Sequence, residues 1–189
     1  MPHSTVVGRD RQSVATVLQR VKSASVTVDN QLISSIGQGI LVFAGVGKED
    51  TEKDVDILAA RVLKAKLWPD ETNSKTSWKR NVQDIGGEVL CVSQFTLYGH
   101  IKKGNKPDFH AAADPETARR LYDRFVQKVG ELYKSERVKN GVFQAMMEVE
   151  LKNDGPVTIE ITTDLPKSDN SKNNGDTVQT QTDSDGRRV

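Results

Sequence analysis

Apolar and polar residues alternate in short runs over the first third of the chain, which is the pattern of β-strands. We predict strands over residues 14–21, 25–28 and 31–36, and a more uniformly apolar strand over residues 39–46. Asp29 and Asn30 separate the second and third strands, and a two-residue loop of this type closes a β-hairpin. The domain therefore begins with a run of strands that includes a hairpin.

Two later segments have the three- and four-residue spacing of amphipathic helices. The first begins at Thr51 and Asp54, which have the spacing of a capping box, and its apolar positions are Val55, Leu58, Ala59, Val62 and Leu63. The second begins with Asp114 as N-cap and Pro115 in the first turn. Its predicted inner stripe is Ala118, Leu121, Tyr122, Phe125, Val129 and Leu132.

The remaining segments are further strands and one long connection. Residues 69–87 are polar and rich in turn formers, which predicts a surface excursion, and strands are predicted over residues 88–95, 142–151 and 157–162. Runs of strands with only two helices argue against a repeating βαβ pattern. We therefore predict an α+β fold with a largely antiparallel, barrel-like sheet and two principal helices.

Composition limits the extent of this domain. The chain has 189 residues, enough for one domain with a real core, and its hydrophobic fraction of 35% is low. The deficit is concentrated at the C-terminus, where the sequence has almost no apolar residue to bury. We predict a flexible leader over residues 1–13, one domain over residues 14–162 and a disordered polar tail over residues 163–189.

Charge and targeting features exclude several classes of protein. No apolar run reaches the ~18 residues that a membrane span requires, and the first residues lack the apolar stretch of a secretory signal. A single cysteine, Cys91, fits a reducing compartment, so we expect a cytoplasmic protein. The formal net charge of +1 does not indicate a nucleic-acid binder. Two local basic clusters are equally consistent with phosphate contacts or solvated surfaces: Lys102, Lys103 and Lys106, and Arg119, Arg120, Arg124 and Lys128.

The residues that most often perform hydrolysis are poorly placed in this sequence. The three histidines lack the spacing of a zinc pair, and the sequence contains no Gly-x-Ser-x-Gly nucleophile motif. Cys91 lies inside an apolar run, which favours a core role over a thiol dyad with His100. No metal and no organic cofactor is implied.

One motif places polar side chains at the end of a predicted buried strand, where binding sites are common. It is Ser93-Gln94-Phe95-Thr96. Its hydroxyls have no base near them in sequence, so activation as nucleophiles is not indicated. Such a motif supplies polarisation instead, through backbone and side-chain donors aimed at a developing oxyanion.

A second motif follows the strand-like run that ends at Leu151, and reads Asn153-Asp154-Gly155-Pro156-Val157-Thr158. The two motifs resemble the SQxT and NxGPxT motifs of the D-aminoacyl-tRNA deacylases, which are chirality-checking enzymes of translation. Further blocks agree with that family, including residues 17–28, 39–46, 103–109 and 141–147. The resemblance covers roughly residues 14–162, although Gln144 stands where the family usually has Gly or Ala, and Lys106 where Arg is common.

The resemblance implies a deacylase-like fold, a homodimer with active sites at the interface, and tRNA as partner, with no membrane and no DNA. It implies hydrolysis of D-aminoacyl-tRNA, with glycine mischarged on tRNA as a further candidate substrate. The ester would be surrounded by Ser93, Gln94, Phe95 and Thr96, with backbone amides near Phe95 and Thr96 as oxyanion donors. The adenine pocket would be lined by Ala118, Phe143 and Met147.

The resemblance also assigns the second motif to chiral selection. A cis Gly155-Pro156 peptide would enter the neighbouring subunit's pocket, exclude L-aminoacyl-tRNA and hold the α-amino group of a D-residue. Arg20 would brace this motif, and Asn153 and Thr158 belong to the same binding group. Two other hypotheses remain open from the sequence: an RNA-binding protein without turnover, and an esterase of small esters, which lacks the activated nucleophile it would need.

Overall fold

A computed structural model describes residues 15–73, 78–101 and 104–163. The predicted leader and nearly all of the predicted tail lie outside the described residues. At the C-terminal boundary, Thr163 is buried, and Arg61 Nη1 donates a 2.7 Å hydrogen bond to the carbonyl of Thr162. The folded part therefore includes Thr163, one residue beyond the predicted boundary.

The N-terminal strands form as predicted, with one difference in their number. β1 spans Thr16–Val28, β2 Gln31–Ile36 and β3 Gly39–Ala44. Asp29 and Asn30 have φ values of 49° and 61°, the left-handed geometry of a type I′ hairpin turn, so the predicted hairpin is confirmed. The two strands predicted over residues 14–21 and 25–28 are one strand, because β1 is paired along most of its length by a long C-terminal strand.

The rest of the sheet is built from β4, β5 and β6. These strands span Glu88–Ser93, Val138–Asn140 and Glu148–Ile161, and the order in the six-stranded sheet is β2-β1-β3-β4-β5, with β6 also on β1. β1 pairs antiparallel with β2, β3 and β6, whereas β3–β4 and β4–β5 are parallel. The α+β prediction is confirmed, and the two parallel pairs follow from helices that connect these strands as crossovers.

The sheet curves until its two ends meet. Ser34 of β2 donates its hydroxyl to the carbonyl oxygen of Asn140 in β5, at 3.0 Å. The two strands at opposite ends of the strand order are thereby linked, so the sheet is a nearly closed barrel. The barrel interior is filled by apolar side chains that include Val21, Val26, Leu41, Leu90 and Val92.

Two helices, α1 (Glu52–Lys64) and α2 (Pro115–Leu132), cover the outside of this sheet. Both predicted caps are present: Thr51 and Asp54 form a reciprocal capping box, and the Asp114 carboxylate accepts from the N–H groups of Glu116 and Thr117. The predicted inner stripe is wrong at Leu132, which is 43% exposed because α2 ends there. Neither helix, nor any other helix in the described ranges, is long and apolar enough to cross a membrane.

Alternate residues of β3 and β4 serve two cores. Ile40 and Cys91 face the helices, whereas Leu41 and Leu90 face the barrel interior. β3 and β4 are therefore buried on both faces, and β4 ends directly at the first predicted motif.

The segment over residues 69–87, predicted to be a surface excursion, is partly built into the core, because its residue Val82 is buried in the helix-side core.

Candidate active site

The first motif sits where β4 ends and the chain turns. The strand predicted to reach residue 95 stops at Ser93, and a short 3₁₀ helix over Phe95–Tyr98 follows it. The backbone N–H of Gln94 donates to the Ala44 carbonyl of the parallel strand at 2.8 Å, which ties the turn to the sheet. The Gln94 side-chain amide donates to the Thr96 hydroxyl. Gln94 and Thr96 thus hold each other within the motif.

A cavity of about 750 Å³ opens beside this turn. Its wall includes Ser93, Gln94 and Phe95, and the opposite wall includes Ala118 of α2 with Phe143 and Met147. The predicted ester-binding and adenine-binding groups, which lie up to 54 residues apart in the sequence, therefore line one cavity. Thr96 is not part of its lining.

The cavity contains almost no group that could act as an acid or base. The described residues that line it have apolar, amide and hydroxyl side chains, and Tyr122 is the one titratable group among them. Burial raises the pKa of the Tyr122 hydroxyl well above its usual range, and that hydroxyl donates to Asn140 Oδ1 at 2.6 Å. Tyr122 is therefore a neutral structural donor, and the cavity offers polarisation without proton transfer.

Phe143 is held between two neighbours on the far wall. The Arg119 guanidinium carbon lies 4.7 Å from the centroid of the Phe143 ring, and the Tyr122 ring centroid lies 5.8 Å from it. The next residue, Gln144, has φ 65°, in the left-handed region that favours glycine. Of the two residues that the family usually has at this position, Gly and Ala, this backbone conformation favours Gly.

Phe95 is 59% exposed at the rim of the cavity. Its ring makes an edge-on contact with Phe109, with the centroids 5.1 Å apart. Phe109 belongs to the block over residues 103–109, and the sequence assigns it no role of its own. Its ring supports Phe95 from the side but does not line the cavity.

A buried pair that no sequence motif indicates joins Tyr98, the last residue of the 3₁₀ helix, to Asp50. The Tyr98 hydroxyl donates to Asp50 Oδ2 at 3.2 Å and accepts from the Ala15 N–H at 3.2 Å, while the Gly47 N–H donates to the same Asp50 oxygen at 2.6 Å. Burial, followed by the nearby Asp50 charge, raises the pKa of Tyr98. A Cβ at Gly47 would lie 2.8 Å from the Tyr98 ring. The sequence feature that could have indicated this pair is Gly47, because a side chain at that position would overlap the Tyr98 ring.

The second motif lies in a wide bulge of β6. Val21 is paired with Asn153 and Gln19 with Thr158, so residues 154–157 stand opposite the single residue Arg20. The two strands predicted over residues 142–151 and 157–162 are therefore one strand. β6 continues through the motif as one strand, and the first predicted strand begins at Glu148 instead of residue 142.

Arg20 contacts the bulge directly. Its Nε–H donates to the Asp154 carbonyl at 2.9 Å, and its Nη1 donates to the Leu67 carbonyl. The Gly155-Pro156 peptide is cis, as the resemblance implied, and both residues are exposed. Four predicted site residues, Asn153, Gly155, Pro156 and Thr158, do not line the cavity described above.

The alternative catalytic groups are not assembled. Cys91 is fully buried, and burial raises the pKa of its thiol to about 12, so a reactive thiolate is excluded. The side chain of His110 is exposed and contacts Asp108 outside the cavity. Among the residues that the structure describes, no group of three His, Cys, Asp or Glu side chains could hold a metal ion.

The comparisons with known proteins identify a family. The sequence model described as D-Tyr-tRNA(Tyr) deacylase matches residues 17–162. A D-aminoacyl-tRNA deacylase of Yarrowia lipolytica is 53% identical over 148 residues, which cover 78% of this chain and 96% of that relative. The Drosophila melanogaster D-aminoacyl-tRNA deacylase is 48% identical over 145 residues, covering 77% of this chain and 89% of the relative.

Solved structures agree with this similarity. A protein described as "c-Myc DNA Unwinding Element Binding Protein" superposes with a TM-score of 0.75 at 43% identity, covering 80% of this chain and 99% of that one. A "probable eukaryotic D-amino acid tRNA deacylase" superposes with a TM-score of 0.68 at 19% identity over 79% of this chain and 99% of that one, and supports the fold alone. With its sheet, its cavity and both motifs inside the matched residues, the chain belongs to the D-aminoacyl-tRNA deacylase family.

Proposed function

We propose that this protein hydrolyses the ester bond of D-aminoacyl-tRNA, releasing tRNA and the D-amino acid, as a chiral check in translation. The observation that carries the proposal is the shared cavity: Ser93, Gln94 and Phe95 on one wall face Phe143 and Met147 on the other. Glycine mischarged on tRNA is a further substrate to test. The one buried, unpaired cysteine fits a cytoplasmic setting.

In this proposal the cavity positions the ester rather than attacking it. The terminal adenine lies against Ala118, Phe143 and Met147, and the ester carbonyl points at the N–H groups of Phe95 and Thr96. These amides begin the 3₁₀ helix, so they have no acceptor within it. Phe95 lines the largely apolar cavity and Thr96 follows it at the edge, so these two donors stabilise the negative charge that develops on the carbonyl oxygen.

The chemical step needs water and the substrate's own ribose. Water adds to the ester carbon, the 2′-hydroxyl assists its deprotonation, and the bond to the ribose 3′-oxygen breaks. One proton of that water passes to the leaving 3′-oxygen by way of the 2′-hydroxyl, the other is released to solvent, and the D-amino acid leaves as a carboxylate. This route is supported by the cavity lining, because the described residues around Ser93 and Thr96 include no basic side chain that would activate either hydroxyl.

Chiral selection in this proposal requires a second copy of the chain. Gly155 and Pro156 are exposed and do not line the cavity of their own chain, so their carbonyls would enter the cavity of a partner in a homodimer. β6 supports such an assembly because, among the residues that the structure describes, only its edge towards β1 is paired, and because Leu151 and Ile159 are more than one-third exposed. Arg20 then holds the motif in shape, with Asn153 and Thr158 at its base.

The activity is tested with D-tyrosyl-tRNA, L-tyrosyl-tRNA and a D-tyrosine methyl ester. We expect loss of the first alone. Binding of D-tyrosyl-tRNA without hydrolysis would instead support an RNA-binding protein, and cleavage of the methyl ester would support a general esterase. Each result selects a different function class.

Cross-subunit selection is tested by mixing two defective chains. Gly155→Ala leaves the cavity intact and Phe143→Ala leaves the motif intact, and we expect each homodimer to be inactive. When the two variants are co-expressed with different tags, random pairing makes about half of the dimers heterodimers. Each heterodimer has one complete site out of two, so about a quarter of wild-type activity should return. A mixture as inactive as its parents would contradict selection across subunits.

A further inference from the structure

Arg119 has an unusual position among the basic residues of α2. Its guanidinium carbon lies 4.7 Å above the Phe143 ring, and the preceding residue, Ala118, lines the cavity. The side chain is therefore at the mouth of the candidate site and not on the outer face of the helix. Because Arg119 is solvent-exposed there, it keeps its N–H donors accessible to a ligand that enters the cavity.

The other basic residues of α2 are occupied by carboxylates. Arg120 pairs with Glu52 at 2.7 Å, and Arg124 pairs with Glu52 at 3.0 Å and with Asp56 at 2.7 Å. Lys128 pairs with Glu131 at 3.2 Å. The hydrogen bond from Arg124 lowers the pKa of Asp56. These three side chains tie α2 to α1 or to itself, so the sequence cluster is not one phosphate-binding surface.

Arg119 differs from them because no carboxylate within the described ranges lies at ion-pair distance from it. The beginning of α2 cannot replace it as an anion site, because the Asp114 carboxylate already accepts from the N–H groups of Glu116 and Thr117. Within this helix, Arg119 is thus the cation that is both close to the cavity and available.

We propose that Arg119 binds a backbone phosphate of the single-stranded 3′ end of the RNA, at the mouth of the cavity. The inference rests on the proposed function for the identity of the ligand. A terminal base placed against Phe143 brings its linking phosphate close to the guanidinium, whose planar fork matches phosphate oxygens. Stacking on Phe143 keeps the guanidinium at this place before the RNA arrives, which reduces the ordering that binding requires.

Binding of deacylated tRNA, measured by fluorescence anisotropy at several salt concentrations, tests the phosphate contact without any turnover. We expect Arg119→Ala to weaken binding about tenfold at low salt. The slope of log affinity against log salt should become shallower by about 0.7, the value for one phosphate contact on a single strand. Arg119→Lys should restore the slope but not the full affinity. The matched control is Arg120→Ala, which removes a paired arginine and should change neither quantity.

Hydrolysis of two esters separates phosphate binding from support of Phe143. Arg119→Ala should raise KM for D-tyrosyl-tRNA by a clearly larger factor than KM for D-tyrosyl-adenosine, which has no phosphate but shares the contact with Phe143. Equal losses on both esters would show that Arg119 only positions Phe143, and would overturn the inference, as would an unchanged salt slope. If the wild-type protein hydrolyses neither ester, the proposed function fails, and the tRNA-binding measurement still decides the role of Arg119.

Discussion

Arg20 and Asp154 meet across the point where β1 and β6 lose their regular pairing. The Arg20 Nε–H donates to the Asp154 carbonyl at 2.9 Å, and Asp154 Oδ2 lies 3.3 Å from the same nitrogen. Four residues of β6 are accommodated opposite this one residue of β1. The side chain of Arg20 therefore replaces ladder hydrogen bonds that the bulge lacks. It holds Asp154, the residue directly before the exposed Gly155-Pro156 segment.

Replacing Arg20 by Ala should damage both stability and activity. The change leaves the Asp154 and Leu67 carbonyls without their donor, and we expect a loss of about 1–3 kcal/mol in the free energy of unfolding. Deacylation should fall at least tenfold because the motif loses its brace. Arg61→Ala is the matched control, since Arg61 also donates to a backbone carbonyl, that of Thr162, but at the exposed end of the chain. Urea unfolding and initial rates measure both effects, and equal losses in the two variants would contradict a special role for Arg20.

Gly155→Ala should impair activity with the dimer intact. Gly155 has φ 131°, and an added Cβ would lie 2.9 Å from a Val157 methyl group and 3.3 Å from Arg20 Nη2. The motif must shift, and a displacement of this order at a site costs up to about 100-fold in rate. Gly86→Ala is the control, because Gly86 also has positive φ, 59°, but open space around it. Full D-tyrosyl-tRNA deacylation by Gly155→Ala would remove the motif from the active site.

Thr96→Ala should cost far less than the loss of an essential nucleophile, which is on the order of 10⁶-fold for one member of an activated triad. The variant loses the hydroxyl that accepts from Gln94, but it keeps the backbone N–H that faces the ester in our proposal. The complementary substrate is D-aminoacyl-tRNA whose terminal ribose lacks the 2′-hydroxyl, and it should bind normally but hydrolyse very slowly. Trapping of a covalent aminoacyl ester on Thr96 or Ser93 would refute this mechanism.

The buried Tyr98–Asp50 pair should make stability fall in alkaline solution. The pKa of Tyr98 is raised in the folded protein above the ordinary value of 10.0, so the contribution is complete below pH 10 and is lost progressively as pH rises above it. Tyr98→Phe should cost about 1–3 kcal/mol at neutral pH, because Asp50 and the Ala15 N–H each lose a partner.

Urea unfolding at pH 8 and at pH 10.5 checks this expectation. The loss between the two pH values should be smaller in Tyr98→Phe than in the wild type, with the remainder including Tyr122, whose pKa is also raised. An identical alkaline loss in both proteins would show that Tyr98 does not contribute to it. Tyr133→Phe is a useful comparison, since Tyr133 is less buried.

Gln144 should tolerate glycine and reject a β-branched residue. Its φ of 65° costs an L-residue about 1–2 kcal/mol, whereas glycine avoids that cost but loses about 0.5–1 kcal/mol of backbone entropy. Gln144→Gly should therefore change unfolding free energy by less than about 1 kcal/mol and keep activity, whereas Gln144→Val should destabilise by about 1–3 kcal/mol. Thermal and urea unfolding of the two variants make the comparison, and a stable Gln144→Val would contradict it.

Local features of the fold were predictable because neighbouring residues determine them. The Asp29-Asn30 turn and the Thr51 and Asp114 caps each depend on side chains within three residues of the backbone groups they satisfy. Cys91 was predicted to be a core residue from its apolar neighbours, and it is fully buried. The two motifs were identified from their residues in order, without knowledge of what they contact.

Long-range pairing was not contained in those local patterns. Periodicity along a strand does not specify its partner, so the parallel pairing of β3 with β4 and the bulge of β6 opposite Arg20 emerged only when the strands came together. The arginines of α2 looked equivalent in the sequence. Packing of α1 against α2 gave Arg120 a carboxylate partner and left Arg119 on Phe143.

By itself the sequence determined the family, the two helices and the residue types of both motifs, because these depend on local spacing and on residues in order. The tertiary structure alone decided which motif residues share a cavity. Ser93 and Phe143 line the same cavity because β4 and β5 are parallel, so the residues at and after their C-terminal ends lie at the same edge of the sheet. Gly155 does not line the cavity of its own chain, and it lies in a bulge of β6 that is set by strand register, which no local pattern encodes.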